Sequence, residues 1–139
     1  MIAGSRALLD TGVLVALLHR DDEAHGSVKA SLEQYAGILL TTEPVLTEAM
    51  HLLGRAHGGR DACLEFFLRG AATIVPSSLP SLSRCREILA RYADLPADFA
   101  DATLIALSEE IRTRIVFTLD RRGFETYRDR DGRGFEIRP

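Results

Sequence analysis

The sequence predicts an α/β fold in which helices cover both faces of a parallel sheet. Two observations carry this prediction. Short apolar runs alternate with helix-like stretches along the chain, and alternating strands and helices bury a parallel sheet between two helical layers. Two of the runs, "ALLD" and "RIVFTLD", lead straight into an aspartate. In such sheets ligands gather beyond the C-terminal ends of the strands, where strand order reverses. With 139 residues and 46% hydrophobic content, the chain suits one globular domain over residues 1–139.

The first strand is Ala7 to Asp10. A helix, "GVLVALL" from Gly12 to Leu18, follows, with Thr11 placed to cap it. "RDDEAH" breaks the pattern, and Asp22 or Glu23 begins a second helix that reaches about Tyr35. "GILLTT", from Gly37 to Thr42, is the second strand. Pro44 opens a third helix, as proline does in a first turn, and "AHGG" closes it. A fourth helix covers about Asp61 to Leu68, and "ATIVP" is the third strand. Leu82, Cys85, Ile88, Leu89 and Tyr92 mark a fifth helix by their spacing. "DLPAD" is a loop before the sixth helix, Asp98 to about Ile111. The fourth strand is Arg114 to Asp120. A turn at Asp131-Gly132 then leads to a short last strand.

Bulk properties narrow the function. No apolar run is long enough to span a membrane. The opening "MIAGSRALLD" lacks the features of an export signal, so a cytoplasmic protein is expected. Cys63 and Cys85 fall among apolar helical residues and read as buried, inert thiols. Without a Cys-x-x-Cys pair, and with His19, His25, His51 and His57 scattered, a structural zinc site is not expected. The net charge is −3, yet of 17 basic residues only Lys29 is a lysine. Arginine pairs bidentately with phosphate, although a GC-rich genome gives the same bias.

The acids are more informative. Asp10 and Asp120 end the first and fourth strands, and both emerge at one sheet edge if those strands are neighbours. Taken singly, Asp10 also suits a helix N-cap and Asp120 a turn before "RRG". Glu48 flanks the apolar side built by Val45, Ala49, Leu52 and Leu53, as a solvated edge residue also would. His51, three residues on, reads as a surface histidine rather than a ligand. Asp98 gains from the dipole of a first helical turn. Asp101 is less easily placed. Leu104, Ile105, Ser108 and Ile111 follow it at helical spacing, so it points inward and needs an arginine or a cation as partner. Carboxylates that meet repel one another unless a cation binds among them. Hard oxygen donors suit Mg²⁺ or Mn²⁺, which commonly also hold a phosphate.

"LLDTGVLVALL", "TTEPVLTEAMHLL", "DFADATLIAL" and "VFTLDRRGF" together resemble the PIN-domain family, in particular the VapC toxins of bacterial and archaeal toxin–antitoxin pairs. The resemblance covers nearly the whole chain. It implies a PIN-like three-layer α/β/α fold with a central, mostly parallel sheet of four to five strands. It also implies that Asp10, Glu48, Asp101 and Asp120 form an acidic quartet holding Mg²⁺ or Mn²⁺. Asp98 is an additional acid, which assists the cluster or caps the helix. Gly12 replaces a frequent serine, whereas Thr11 and Thr118 keep hydroxyls beside two of the acids.

The implied activity is an endoribonuclease: the metal activates a water that attacks the phosphate, leaving a 5′-phosphate and a 3′-hydroxyl. Arg121, Arg122 and Arg20 are the candidate RNA contacts, with solvated surface arginines as the plain alternative. The sequence offers no aromatic stacking platform, which fits recognition of RNA shape more than of individual bases. The implied partners are an RNA substrate, a cognate antitoxin and a second copy of the chain, the last through "GVLVALL" and "ACLEFFL". Two rivals stand beside this reading. A non-catalytic PIN-like binding module is disfavoured by the complete quartet. A metal-dependent phosphatase needs a second acid two residues after its nucleophilic aspartate, and "LLDTG" has none.

Overall fold

The computed structural model describes residues 4–139. Residues 1–3, part of the opening stretch read above for an export signal, lie outside the described residues. The elements are β1 (Arg6–Leu9), α1 (Thr11–Leu18), α2 (His25–Gln34), β2 (Ile38–Thr42), α3 (Glu43–Leu52), α4 (Gly59–Leu68), β3 (Thr73–Val75), α5 (Leu79–Arg91), α6 (Phe99–Ile111), β4 (Ile115–Phe117), α7 (Arg121–Thr126) and β5 (Glu136–Arg138). One 3₁₀ turn, Leu53–Arg55, joins α3 to α4. No helix is long and apolar enough to cross a membrane among the described residues.

The strands lie in the order β3-β2-β1-β4-β5, and every pairing is parallel. The chain builds outward from β1 to β3, then returns past β1 to lay down β4 and β5. Parallel crossovers are right-handed, so reversing direction moves the connecting helices to the opposite face. The packing agrees: α1 contacts α2, α3 and α4, while α6 contacts α5, β1 and β2. Strand order therefore reverses between β1 and β4. Leu8 stands between Leu40 and Val116 in register, and the Asp10 amide donates to the Phe117 carbonyl at 3.0 Å. The expected meeting of the first and fourth strands is present.

The core explains why α6 is central. Every residue from Ala102 to Ser108 is buried, so the expected apolar stripe is an all-round buried helix held between the sheet and α5. Alanines at 100, 102 and 106 allow close approach of backbones. Leu104 and Ile105 are fully buried, as are Leu8, Leu9 and Phe117 of the adjoining strands. Cys63 and Cys85 are buried free thiols, and burial pushes both up from the ordinary thiol range.

Two sequence expectations at this edge need correction. Asp10, not Thr11, caps α1: its backbone is extended and its carboxylate accepts the Thr11 amide at 2.8 Å. The fourth strand stops at Phe117 rather than running to Asp120. The Thr118 hydroxyl takes the Asp120 amide at 2.9 Å, and Asp120 takes the Gly123 amide at 3.1 Å, which turns the chain into the unforeseen helix α7. The last strand is parallel to its neighbour, with α7 in the crossover between them. The turn before it holds: Gly132 has φ +81°, and the buried Asp129 carboxylate accepts the amides of Asp131 and Arg133.

Candidate active site

The five acids singled out in the sequence collect at the C-terminal edge of the sheet, around the β1/β4 switch. Asp10 is buried directly beyond β1. One of its carboxylate oxygens accepts the Thr11 amide at 2.8 Å and the other the Thr118 hydroxyl at 2.7 Å. The Thr11 hydroxyl donates to Glu48 at 3.2 Å. Because the Thr118 hydroxyl also holds the Asp120 amide, two threonines link Asp10, Glu48 and Asp120 into one network.

Two more threonines brace it. Thr41 donates to the Leu9 carbonyl at 2.6 Å, and Thr42 shares a hydrogen bond with Thr103 of α6 at 2.8 Å. The end of β2, from which α3 and Glu48 spring, is thereby tied to both β1 and α6.

Asp98 and Asp101 form a reciprocal cap at the start of α6. The Asp98 carboxylate accepts the Asp101 amide at 2.9 Å, and the Asp101 carboxylate accepts the Asp98 amide at 3.3 Å. Asp101 has a further partner, the Tyr127 hydroxyl at 3.1 Å. The sequence reading required an arginine or a cation for Asp101 and did not foresee this tyrosine. Tyr127 is buried just after α7, edge-on to Tyr92 and Phe124. Phe124 and Tyr127, three apart, were its one sequence signal.

The acids act on one another. Burial raises the Asp10 carboxyl, against the lowering bonds from Thr118 and Thr11, and the charges of Asp120 and Asp98 raise it further. Partial burial, the charge of Asp98 and a hydrogen bond shared with its carboxyl push Glu48 up. Burial and the charges of Asp98 and Asp10 push Asp101 up to about 7, despite the Asp98 amide and Tyr127. Tyr127 is raised in turn, by burial and then by Asp101. No arginine, lysine or histidine pairs with any of the five acids among the described residues.

This donor set fits a hard divalent cation. All the acidic donors are oxygens, Asp10 still has free lone pairs, and a cation would relieve a repulsion that no basic residue offsets. Among the described residues no three such groups are already gathered as a metal-ligand shell. Mg²⁺ keeps several waters and takes only a few direct carboxylates, so a loose neighbourhood of acids is compatible with it.

Not every candidate is brought here. Arg121 and Arg122 are exposed in the first turn of α7, immediately after Asp120. Arg121 leans toward Glu125 at 3.6 Å, an exposed pair that leaves it available. Arg20 lies past the far end of α1, about 13 Å of helical rise from Thr11, and is not part of this edge. His51 is exposed and outside the network, as expected. A Cβ on Gly12 would meet Leu119 at 3.6 Å, ordinary contact, so the missing serine is not forced by space.

Comparison with known proteins places the chain among others of this fold. The family model for the PIN domain matches residues 7–129. Ribonuclease VapC26 of Mycobacterium tuberculosis is 27% identical over 134 residues, covering 95% of this chain and 99% of that one. Among solved structures, M. tuberculosis VapC20, described as a sarcin-ricin loop cleaving toxin, superposes with a TM-score of 0.76 at 21% identity, over 83% of this chain and 90% of that one. VapBC2 from Rickettsia felis, solved with a fragment of its promoter DNA, gives 0.67 at 13% identity, over 97% and 100%. A toxin–antitoxin complex from Klebsiella pneumoniae gives 0.64 at 19% identity, over 86% and 91%.

Proposed function

The chain belongs to the PIN-domain family, and from that premise we propose that it is a divalent-metal-dependent endoribonuclease, the toxin of a type II toxin–antitoxin pair. One observation carries the reading: five carboxyl groups lie near one another at the strand-order switch with no basic partner among the described residues. The name of the 27% identical relative points the same way.

Asp10, Glu48, Asp101 and Asp120 would hold Mg²⁺ or Mn²⁺, with Asp98 beside them. When bound, the metal supplies a lowered pKa for the attacking water and charge compensation at the phosphate. The chain's own residues do the rest. Thr11 and Thr118 fix both oxygens of Asp10, so its carboxylate is oriented before substrate arrives. Tyr127 and the Asp98 amide orient Asp101. Arg121 and Arg122 meet the RNA backbone beside the acids, where bidentate contacts to phosphate are strongest.

The proposed partners are an antitoxin and a second copy of the chain. Leu64 and Leu68, one turn apart on α4, are 43% and 81% exposed and suit a dimer face. In contrast, α1 turns Val13, Leu14 and Ala16 into the core, so of the two helices named from the sequence only α4 offers an open apolar face.

Sequencing of RNA ends after brief expression tests the reading, with Asp10→Asn as control. New 5′-phosphate ends at defined positions, absent in the control, are expected. Identical end profiles from the two proteins would overturn it.

A further inference from the structure

A groove of about 790 Å³ opens beside the acids, and Glu48 and Asp98 belong to both. Its other walls include Pro44, Pro76, Leu82 and Phe99. Phe99, the first residue of α6, is 43% exposed, and Leu82 is 41% exposed. An apolar surface is thus assembled here from α6, α3, α5 and the loop after β3, with Phe99 as the one aromatic ring in its lining.

We propose that this groove receives an unpaired nucleobase next to the scissile phosphate, stacked on the Phe99 ring. The proposal rests on the ribonuclease reading. Three observations support it. Phe99 lines the same groove as Glu48 and Asp98, so a nucleotide whose phosphate faces the acids has its base beside the ring. The charged groups of the groove are all carboxylates, Glu43, Glu48 and Asp98. The carboxylates not held by metal, Glu43 foremost, repel the phosphodiester backbone, which is drawn to Arg121 and Arg122 instead, and accept the amino and ring N–H donors of base edges. Finally, single-stranded RNA is held by aromatic stacking because every base has a π-face, and Phe99 is an apolar ring left open at the rim of the acids.

The test compares wild type with Phe99→Leu, which keeps apolar bulk without a ring, and Phe99→Tyr, which keeps the ring. Each is assayed with Mg²⁺ on total RNA, with cleavage sites mapped by end sequencing. Phe99→Leu is expected to raise KM about tenfold, the scale of losing one stacked base, and, because the ring holds the base edge against the carboxylates, to blur the base preference beside the cut. Phe99→Tyr is expected to retain both.

A second arm uses a single-stranded RNA 12-mer carrying 2-aminopurine, bound to Asp10→Asn protein with and without Phe99→Leu. Quenching that depends on Phe99 supports stacking, whether or not the wild type cleaves. Unchanged KM, unchanged site preference and Phe99-independent quenching would overturn the proposal, while wild-type cleavage in that experiment would leave the ribonuclease reading standing. Loss of antitoxin neutralisation in Phe99→Leu with RNA kinetics untouched would assign the groove to protein and likewise overturn it.

Discussion

Asp98 and Asp101 share a capping box yet stand in different surroundings. Asp101 is partly buried, tied to Tyr127 and pushed up to about 7, whereas Asp98 is exposed. The same substitution should separate them. Asp101→Ala is expected to abolish metal-dependent RNA cleavage. Asp98→Ala is expected to cost a helix cap, on the order of 1 kcal/mol of stability, and far less activity than Asp101→Ala; both are checked by circular dichroism and by cleavage of one RNA. Equal and severe losses would make Asp98 a fifth ligand, which its closeness to Glu48 makes a real alternative. Asp10 has the most fixed carboxylate of the set. Asp10→Asn keeps its shape and one acceptor oxygen for the Thr11 amide but removes the charge and the second acceptor, which now takes the Thr118 hydroxyl, and cleavage with Mg²⁺ should fall at least about a hundredfold, the scale of damaging a metal ligand. An active, folded Asp10→Asn protein would remove Asp10 from the site.

Elements with strong apolar patterns were legible in the sequence, and those defined by a few hydrogen bonds were not. The strands around Leu8 and Leu40, the Pro44 helix and the buried helix after Asp98 all follow from runs of apolar residues. α7 was missed because "RRGFET" shows only Phe124 to the core, and its start depends on the Thr118 and Asp120 side chains. The same omission hid Tyr127. The start of α2 was placed too early for a related reason: Asp22 ties its carboxylate to the Ala24 amide, and the helix begins only at His25, whose ring bonds the Ala16 carbonyl. Asp10, Asp101 and Asp120 were legible because each stands where a strand ends or a helix begins, and Glu48 because it flanks the apolar side of α3; the bonds that orient them were not. At Gly12 the helix carries a glycine with room for a side chain, since a Cβ would make only ordinary contact with Leu119. Gly12→Ala should therefore stabilise α1 by about 0.5 kcal/mol through reduced chain entropy, read as a rise in the midpoint of urea unfolding. A fall would mean that Leu119 cannot accommodate even a methyl group.

At the scale of the whole molecule, the acids make metal-free stability depend on pH. Asp101 is pushed up to about 7 in the folded protein from an ordinary value of 3.8. The fold thus binds its proton more tightly than the unfolded chain does. Its contribution is complete below about pH 4 and is lost as pH rises through 7. Asp101→Asn resembles the protonated form. In metal-free protein the variant should match wild type near pH 4 and melt higher at pH 8; a variant that melts lower at pH 8 would mean that the charged carboxylate is needed by Tyr127 or the helix start.

Divalent metal should reverse that balance, because it binds the ionised acids of the folded state and not the unfolded chain. At a hundredfold excess over its dissociation constant, linkage adds about 2.7 kcal/mol. For a domain of 139 residues that is a rise in Tm of several degrees. The rise should shrink at pH 5, where Asp101 must first release its proton, and it should be lost in Asp10→Asn. Thermal melts of both proteins with and without Mg²⁺, at pH 5 and pH 8, measure all three effects. An equal rise in wild type and Asp10→Asn would place the ion away from the β1/β4 switch, and would separate metal binding from the acids even if RNA cleavage were found.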